Sequence, residues 1–369
     1  MSVAATGIAY DAPTENSLWI RSKAWDLTWI SGSALLMVIP YASYYLGQAM
    51  GFAPNDARNA VNMLVAFAIG GPHMYATHLR TTFDPEFRSR HPSILLAAFL
   101  IPAAVIYFGY YHFLLLLTFF FFWASVHVLH QIVYLVDCYH GRAPKKPTFK
   151  SKAVDYAVVL TALYPVAMYR FTHNTFTVGQ NVLYFPDFLK VDAVWWLTSA
   201  VFAAALALYI SKTYREFRTG HGNIPKTLLI SITVVATFIT PFFHELDVAF
   251  QGLNSWHSFQ YLGLTWYINR LRYDRGELTK NLSFFSKEWW RFYGFTVTMT
   301  VIAIGLIAGL IFTSPYTGLS FDQCYYIIVL CFLLTHYYHD HILFTERTDF
   351  SRAGAGAGPA ESFAFSPQN

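Results

Sequence analysis

Apolar residues in this chain fall in long runs separated by short clusters of charge, a pattern that reads as a polytopic membrane helix bundle. Ten runs are long enough to cross a hydrocarbon layer: Leu27–Met50, Ala57–Leu79, Pro92–Tyr110, His112–Cys138, Ala153–Arg170, Ala193–Tyr214, Pro225–Phe243, Val248–Leu271, Trp290–Phe312 and Gln323–Phe344. The expected fold is therefore all-α, with a cytoplasmic segment 1–24, a transmembrane domain 25–347 and a low-complexity tail 348–369 that includes Gly354-Ala355-Gly356-Ala357-Gly358-Pro359. An even number of crossings places both termini on one side.

Positive charge sets the orientation. Arg21, Lys23, Arg80, Arg88, the Arg142–Lys152 cluster, Lys212, Arg215, Arg270, Arg272 and Arg347 all fall on one face of the ten-crossing arrangement. The opposite loops hold Arg58, Arg170 and Lys190. Lys and Arg concentrate on cytoplasmic loops, so the first face, with both termini, is expected to be cytoplasmic in an inner or cytoplasmic membrane.

Composition agrees with this class. Only 12% of residues are charged and 55% are hydrophobic, against about 25% charged in an ordinary soluble domain. The net charge of +4 is too small to suggest nucleic acid as a partner. Cys138, Cys324 and Cys331 have no CxxC spacing and suggest neither a disulfide framework nor a thiolate metal site. Residues 1–23 lack a basic start followed by a continuous apolar core, so no cleavable signal peptide is expected.

The candidate chemistry is histidine within hydrocarbon. His73, His127, His130, His257, His336 and His339 lie on the second, fourth, eighth and tenth crossings. All four of these run from outside to inside, and the histidines sit at a common depth roughly 10–20 Å from the cytoplasmic boundary. An ionisable side chain there is costly without a partner, so a group at one level points to a metal.

Spacing refines the picture. His127 and His130 are i,i+3 neighbours, followed on the same face by Tyr134 and Asp137, and His336 with His339 repeats the offset. Asp340, one turn from His336, is a candidate third ligand or a carboxylate that orients a histidine. Asn254 and Gln260 are expected to share the face of His257, where they could hydrogen-bond a ligand or water, so that helix reads as a wall of the site. His73 follows Gly70-Gly71-Pro72, where Pro interrupts the helical hydrogen bonds, and it is preferred over His78 as a ligand. His341 is likewise second choice. His112, His140, His173, His221 and His244 fall at expected helix ends or loops and receive no role. His244-Glu245-Leu246-Asp247 reads as a polar turn on the outer side.

Many imidazoles, one carboxylate and no thiolate suit iron, zinc or copper. Six histidines exceed what one tetrahedral zinc needs, so one ion with supporting histidines or two non-haem iron ions is expected. Bis-histidine haem, serving electron transfer, is an alternative. A transporter or proton relay is another; it calls for polar residues at successive depths through the outer half, whereas Phe113–Phe122 and Tyr325–Leu334 are nearly all apolar. That outer half is expected to be sealed by Phe and Leu.

The Gly-Gly-Pro-His73 turn, a His on the fourth crossing, another on a later one, and the final segment His336-Tyr-Tyr-His339-Asp340-His341-Ile342-Leu343 resemble the Brp/Blh membrane carotenoid oxygenase family. The resemblance covers these motifs. It implies histidine-held iron in the membrane and dioxygen-dependent cleavage of beta-carotene to retinal. The expected activity is oxidation of an apolar substrate, a carotenoid or a fatty acyl lipid, with an electron-donor protein as a possible partner. Individual catalytic residues are not identified from the sequence.

Overall fold

A computed structural model describes residues 18–143, 145–173, 176–178 and 181–346. The chain is almost entirely helical. In order the helices are α1 (Lys23–Asp26), α2 (Val38–Ala49), α3 (Pro54–Val65), α4 (Gly71–Ala76), α5 (Pro85–Arg90), α6 (Ser93–Tyr111), α7 (Phe113–Arg142), α8 (Phe149–Thr161), α9 (Tyr164–His173), α10 (Asp192–Arg218), α11 (Ile224–Ile239), α12 (Leu246–Asp274), α13 (Lys280–Lys287), α14 (Trp289–Thr317) and α15 (Phe321–Glu346). A two-residue antiparallel ladder, Thr177–Val178 against Asn181–Val182, lies in the loop after α9.

Six helices among the described residues are long and apolar enough to cross a membrane: α6, α7, α10, α11 with its following turn, α14 and α15. They coincide with the third, fourth, sixth, seventh, ninth and tenth expected crossings. The other four expected segments are helical but interrupted or more polar, each for a local reason. The first contains a π turn at Leu27–Ser31 and a 3₁₀ stretch at Gly32–Met37. The second is broken by a π turn at Ala66–Gly70 just before Pro72. The fifth is divided at Ala162-Leu163, ahead of Pro165.

The eighth, α12, is a continuous helix of 29 residues, buried along most of its length. A helix surrounded by protein needs no lipid-compatible face, so it can carry Gln251, Asn254, Ser258 and Gln260. Two of its glycines admit the N-terminal segment. A Cβ on Gly252 would lie 2.6 Å from the Met37 carbonyl oxygen, and Gly263 lies beneath the Trp29 ring. Within this distorted stretch the Ile30 carbonyl accepts from Ser33 Oγ at 3.0 Å, and across to α12 it accepts from Trp256 Nε1 at 3.0 Å and Gln260 Nε2 at 2.7 Å. The central helix is thus clamped by hydrogen bonds that an ideal first helix would not offer.

A buried ionic network ties α7, α8, α10 and α11 together at one end. Asp155, wholly inaccessible, accepts from His140 Nε2 at 2.8 Å, Lys212 Nζ at 2.7 Å and Lys226 Nζ at 2.9 Å. Glu216 bridges the same two lysines, and Asp137 receives Tyr156, Lys152 and His140. His140, assigned no role from its sequence position, is therefore a structural bridge. Asp137 belongs here as well, and does not continue a stripe with His127.

Breaking one partner of a buried network strands the remaining charges. Asp155→Asn is expected to lose about 3–5 kcal/mol of stability, read as a lowered unfolding midpoint in detergent, with the spectroscopic properties of any bound metal unchanged below that midpoint.

Candidate metal centre

Four histidines converge from four helices. His73 on α4, His127 on α7, His257 on α12 and His336 on α15 each offer one ring nitrogen, these atoms lie within 4.8 Å of one another, and all four residues are buried. His73 Nε2, His127 Nε2, His336 Nε2 and both nitrogens of His257 lack hydrogen-bond partners. Their rings meet edge to face, with centroids 4.7 Å apart for His73 and His336 and 4.9 Å for His127 and His257.

The local backbone explains how His73 reaches this point. Pro72 has no N–H to give to the Ala68 carbonyl, and that oxygen accepts instead from the Tyr293 hydroxyl of α14 at 2.5 Å. Gly71 packs so tightly that a Cβ there would lie 2.5 Å from Thr300. The π turn rotates His73 inward and leaves the Gly70 carbonyl to accept from His73 Nδ1 at 2.5 Å. A carbonyl only accepts, so Nδ1 carries the proton and Nε2 presents its lone pair to the cluster.

A second polar layer lies one turn further along every contributing helix. Each histidine is followed at i+4 by a hydrogen-bonding residue: Thr77 after His73, Gln131 after His127, Tyr261 after His257 and Asp340 after His336. Asp340 Oδ1 accepts from Tyr261 at 2.7 Å and Thr77 at 3.0 Å, and Thr77 and Tyr261 are themselves 2.6 Å apart. With its proton given to Asp340, the Thr77 oxygen accepts from His336 Nδ1 at 2.6 Å. His336 is thereby held with Nε2 bare. Gln131 Nε2 donates to the His257 carbonyl and to Gln260 Oε1, both at 3.1 Å. The i+4 periodicity was visible in the sequence, but only Asp340 stood out there, because Thr, Gln and Tyr are common neighbours in any helix.

Asp340 Oδ2 lies 3.5 Å from His336 Nε2 and 3.9 Å from His127 Nε2, in neither case with hydrogen-bond geometry. Buried unpartnered polar atoms cost about 1–3 kcal/mol each. A cation among the four nitrogens would satisfy them together and sit close to the carboxylate. The donor set of four neutral imidazoles and one adjacent carboxylate fits a divalent transition metal.

Not all six expected histidines join this group. His130 turns away to pack on Phe344 and His341, with ring centroids 5.4 Å and 5.5 Å distant. His339 faces Thr81, 3.1 Å from its Nδ1, and the His78 ring, 5.6 Å away. The i,i+3 offset rotates neighbours by about 60°, so where four helices meet at a point only one residue of each pair faces the centre. His341 is exposed. Asn254 and Gln260 also diverge, since six residues place them about 120° apart: Asn254 stays beside His73 through Ser258, whereas Gln260 faces Ile30.

His73, Tyr337 and Asn254 lie along a cavity of about 330 Å³ that extends through the half of the bundle remote from the Asp155 network, between α3, α12, α14 and α15. Phe120 and Phe121 line it. The aromatic residues expected to seal this half instead wall a chamber. Asp247, read from the sequence as part of a polar turn, lines the chamber and pairs with Arg58 at 3.3 Å.

Hydrogen bonds that orient metal-binding histidines commonly contribute 10–100-fold to metal affinity. Thr77→Val is expected to weaken metal retention by about that factor while the helical content stays constant, measured by chelator competition and far-UV circular dichroism. Unchanged retention would show that Thr77 does not orient His336. No protein-family model, curated protein or solved structure matches this chain.

Proposed function

We propose that this protein is a multi-pass membrane oxidoreductase in which His73, His127, His257 and His336 hold a non-haem iron ion and an apolar substrate is oxidised beside it. The observation that carries the reading is the set of four bare imidazole nitrogens within 4.8 Å of one another, next to an apolar chamber. Iron in such a ligand set supplies dioxygen activation. The protein contributes the rest: Gly70 and Thr77 hold ring protons away from the centre, Asp340 balances charge, and the chamber binds the apolar body of the substrate and excludes water.

In this reading all ten expected segments cross the membrane, the four interrupted or polar ones being shielded by the six apolar helices. Both termini face the cytoplasm of an inner or cytoplasmic membrane, where an electron-donor protein has access. The motif resemblance to the Brp/Blh family makes a carotenoid one candidate substrate and a fatty acyl lipid the other. Zinc fits less well, because four histidines and a nearby carboxylate exceed a tetrahedral set. Haem is disfavoured by geometry. Nitrogens this close around one point leave no plane for a macrocycle between any two of them.

A proton-relay or transport role is the second reading, favoured by one observation. Asn62, Gln251, Asn254, Ser258 and His73 form a hydrogen-bonded row, with successive contacts of 3.0, 3.0, 3.2 and 3.0 Å. It supplies the polar residues at successive depths that α7 and α15 lack. The row consists of amides and a hydroxyl with no carboxylate between Asp247 and the histidines, which suits orientation of His73 better than proton conduction.

Purified protein is expected to contain about one iron per chain, in line with a single compact ligand set, and His336→Ala to lose most of it. The visible spectrum should show no Soret band; stoichiometric haem would overturn the assignment in favour of electron transfer. In a carotene-producing host, bleaching with retinal formation would support the carotenoid version. Unchanged pigment alongside metal-loaded protein would exclude it and leave lipid oxidation as the next assay. Proton uptake by metal-free protein in liposomes would favour the relay.

A further inference from the structure

The chamber has a definite shape. Along α15 its lining runs from Tyr337 to Phe321, about 24 Å at the helical rise of about 1.5 Å per residue. With about 330 Å³ spread over that length, the chamber is an elongated channel and not a rounded cavity. An extended hydrocarbon chain of about a dozen carbons fits within that length.

Its walls differ. The α14 side presents Ala303, Ile304, Ile307 and Ile311. The α12 side presents Gln251 and Asn254, whose amides bond one another and Asn62. Because these amides are already paired, a hydrocarbon can lie against them at little cost.

Charge appears only at the rim. There a recess of about 40 Å³ adjoins the chamber, lined by Arg58, Asn59, Asp247 and Asp322. That volume suits a small polar group. Arg58 is held by Asp247, and Asp322 accepts from Asn181 at 2.8 Å, so the recess carries two acids against one base. An anionic head is disfavoured there, and a neutral hydroxyl finds both donors and acceptors. Met63 and Ala308 are exposed on the flank between α3 and α14, giving a chain dissolved in the bilayer a lateral way in.

We infer that the chamber takes one linear hydrocarbon chain bearing a small neutral hydrogen-bonding head, of the long-chain alcohol class, with the head at the Asp247 rim and the leading end at His73. This rests on the metal-oxidase reading only for what happens at the inner end, and it narrows the substrate class from apolar lipids in general to single-chain alcohols.

Photolabelling of the full-length protein in nanodiscs tests it without turnover. Dodecan-1-ol carrying a terminal diazirine is expected to label the segment containing Leu333 and Tyr337; the isomer with the diazirine beside the hydroxyl should label the segments containing Met63 or Phe321. Ala308→Trp overfills the column and should cut inner-end labelling about tenfold, the equivalent of about 1.4 kcal/mol, with metal content unchanged. Ile307→Ala, which widens the column, should retain labelling and guards against a folding artefact. Adducts confined to lipid-facing residues, or inner-end labelling indifferent to Ala308→Trp, would overturn the proposal. Equal labelling by the dodecanoic acid analogue would overturn the neutral head. Metal content and dioxygen uptake are measured on the same preparations. Labelling without metal or uptake would defeat the oxidase reading alone, and metal with uptake but no inner-end labelling would defeat the chain assignment alone.

Discussion

Imidazole nitrogens buried away from water must be satisfied, and this requirement organises the centre of the molecule. Four helices deliver four such nitrogens to one point while their own backbones remain hydrogen-bonded, so the surrounding protein supplies the groups that hold each ring in place. The Gly70 carbonyl and the Thr77 hydroxyl do this for His73 and His336. The two-layer arrangement of histidines backed by Thr77, Gln131, Tyr261 and Asp340 follows from the helical repeat: anything one turn from a converging residue also converges. Once the upper layer meets, the lower layer meets too and has to be polar to be useful.

Much of this was legible in the chain. That His73, His127, His257 and His336 fall at similar distances from clusters of arginine could be counted in the chain, and the six apolar helices stand where continuous apolar runs occur. The choice within each histidine pair was not legible. Whether His127 or His130 faces the centre depends on the rotation of α7, and that rotation is fixed by long-range packing against α12 and α15 that no local pattern encodes. Proline and glycine before His73 announced a break; the π turn that re-aims the ring, and its support by Tyr293, required the partner helix to be in view.

The apolar half remote from the Asp155 network shows how one composition permits opposite structures. Phe120, Phe121, Tyr325, Tyr326, Val329 and Leu333 read equally as a plug or as a lining. Large aromatic side chains that do not close-pack across neighbouring helices enclose space. The polar residues of α12 were legible individually, but their pairing into a row along one wall depends on Asn62, nearly two hundred positions earlier in the chain.

The bond between Tyr293 and the Ala68 carbonyl has a mechanical meaning. It joins α14 to the irregular turn that aims His73, and α14 also forms the apolar wall of the chamber. Wall and ligand therefore share a strut. A guest that pushed α14 outward would pull on the turn through the Tyr293 hydroxyl and the Gly71–Thr300 packing, and would tilt one imidazole of the four.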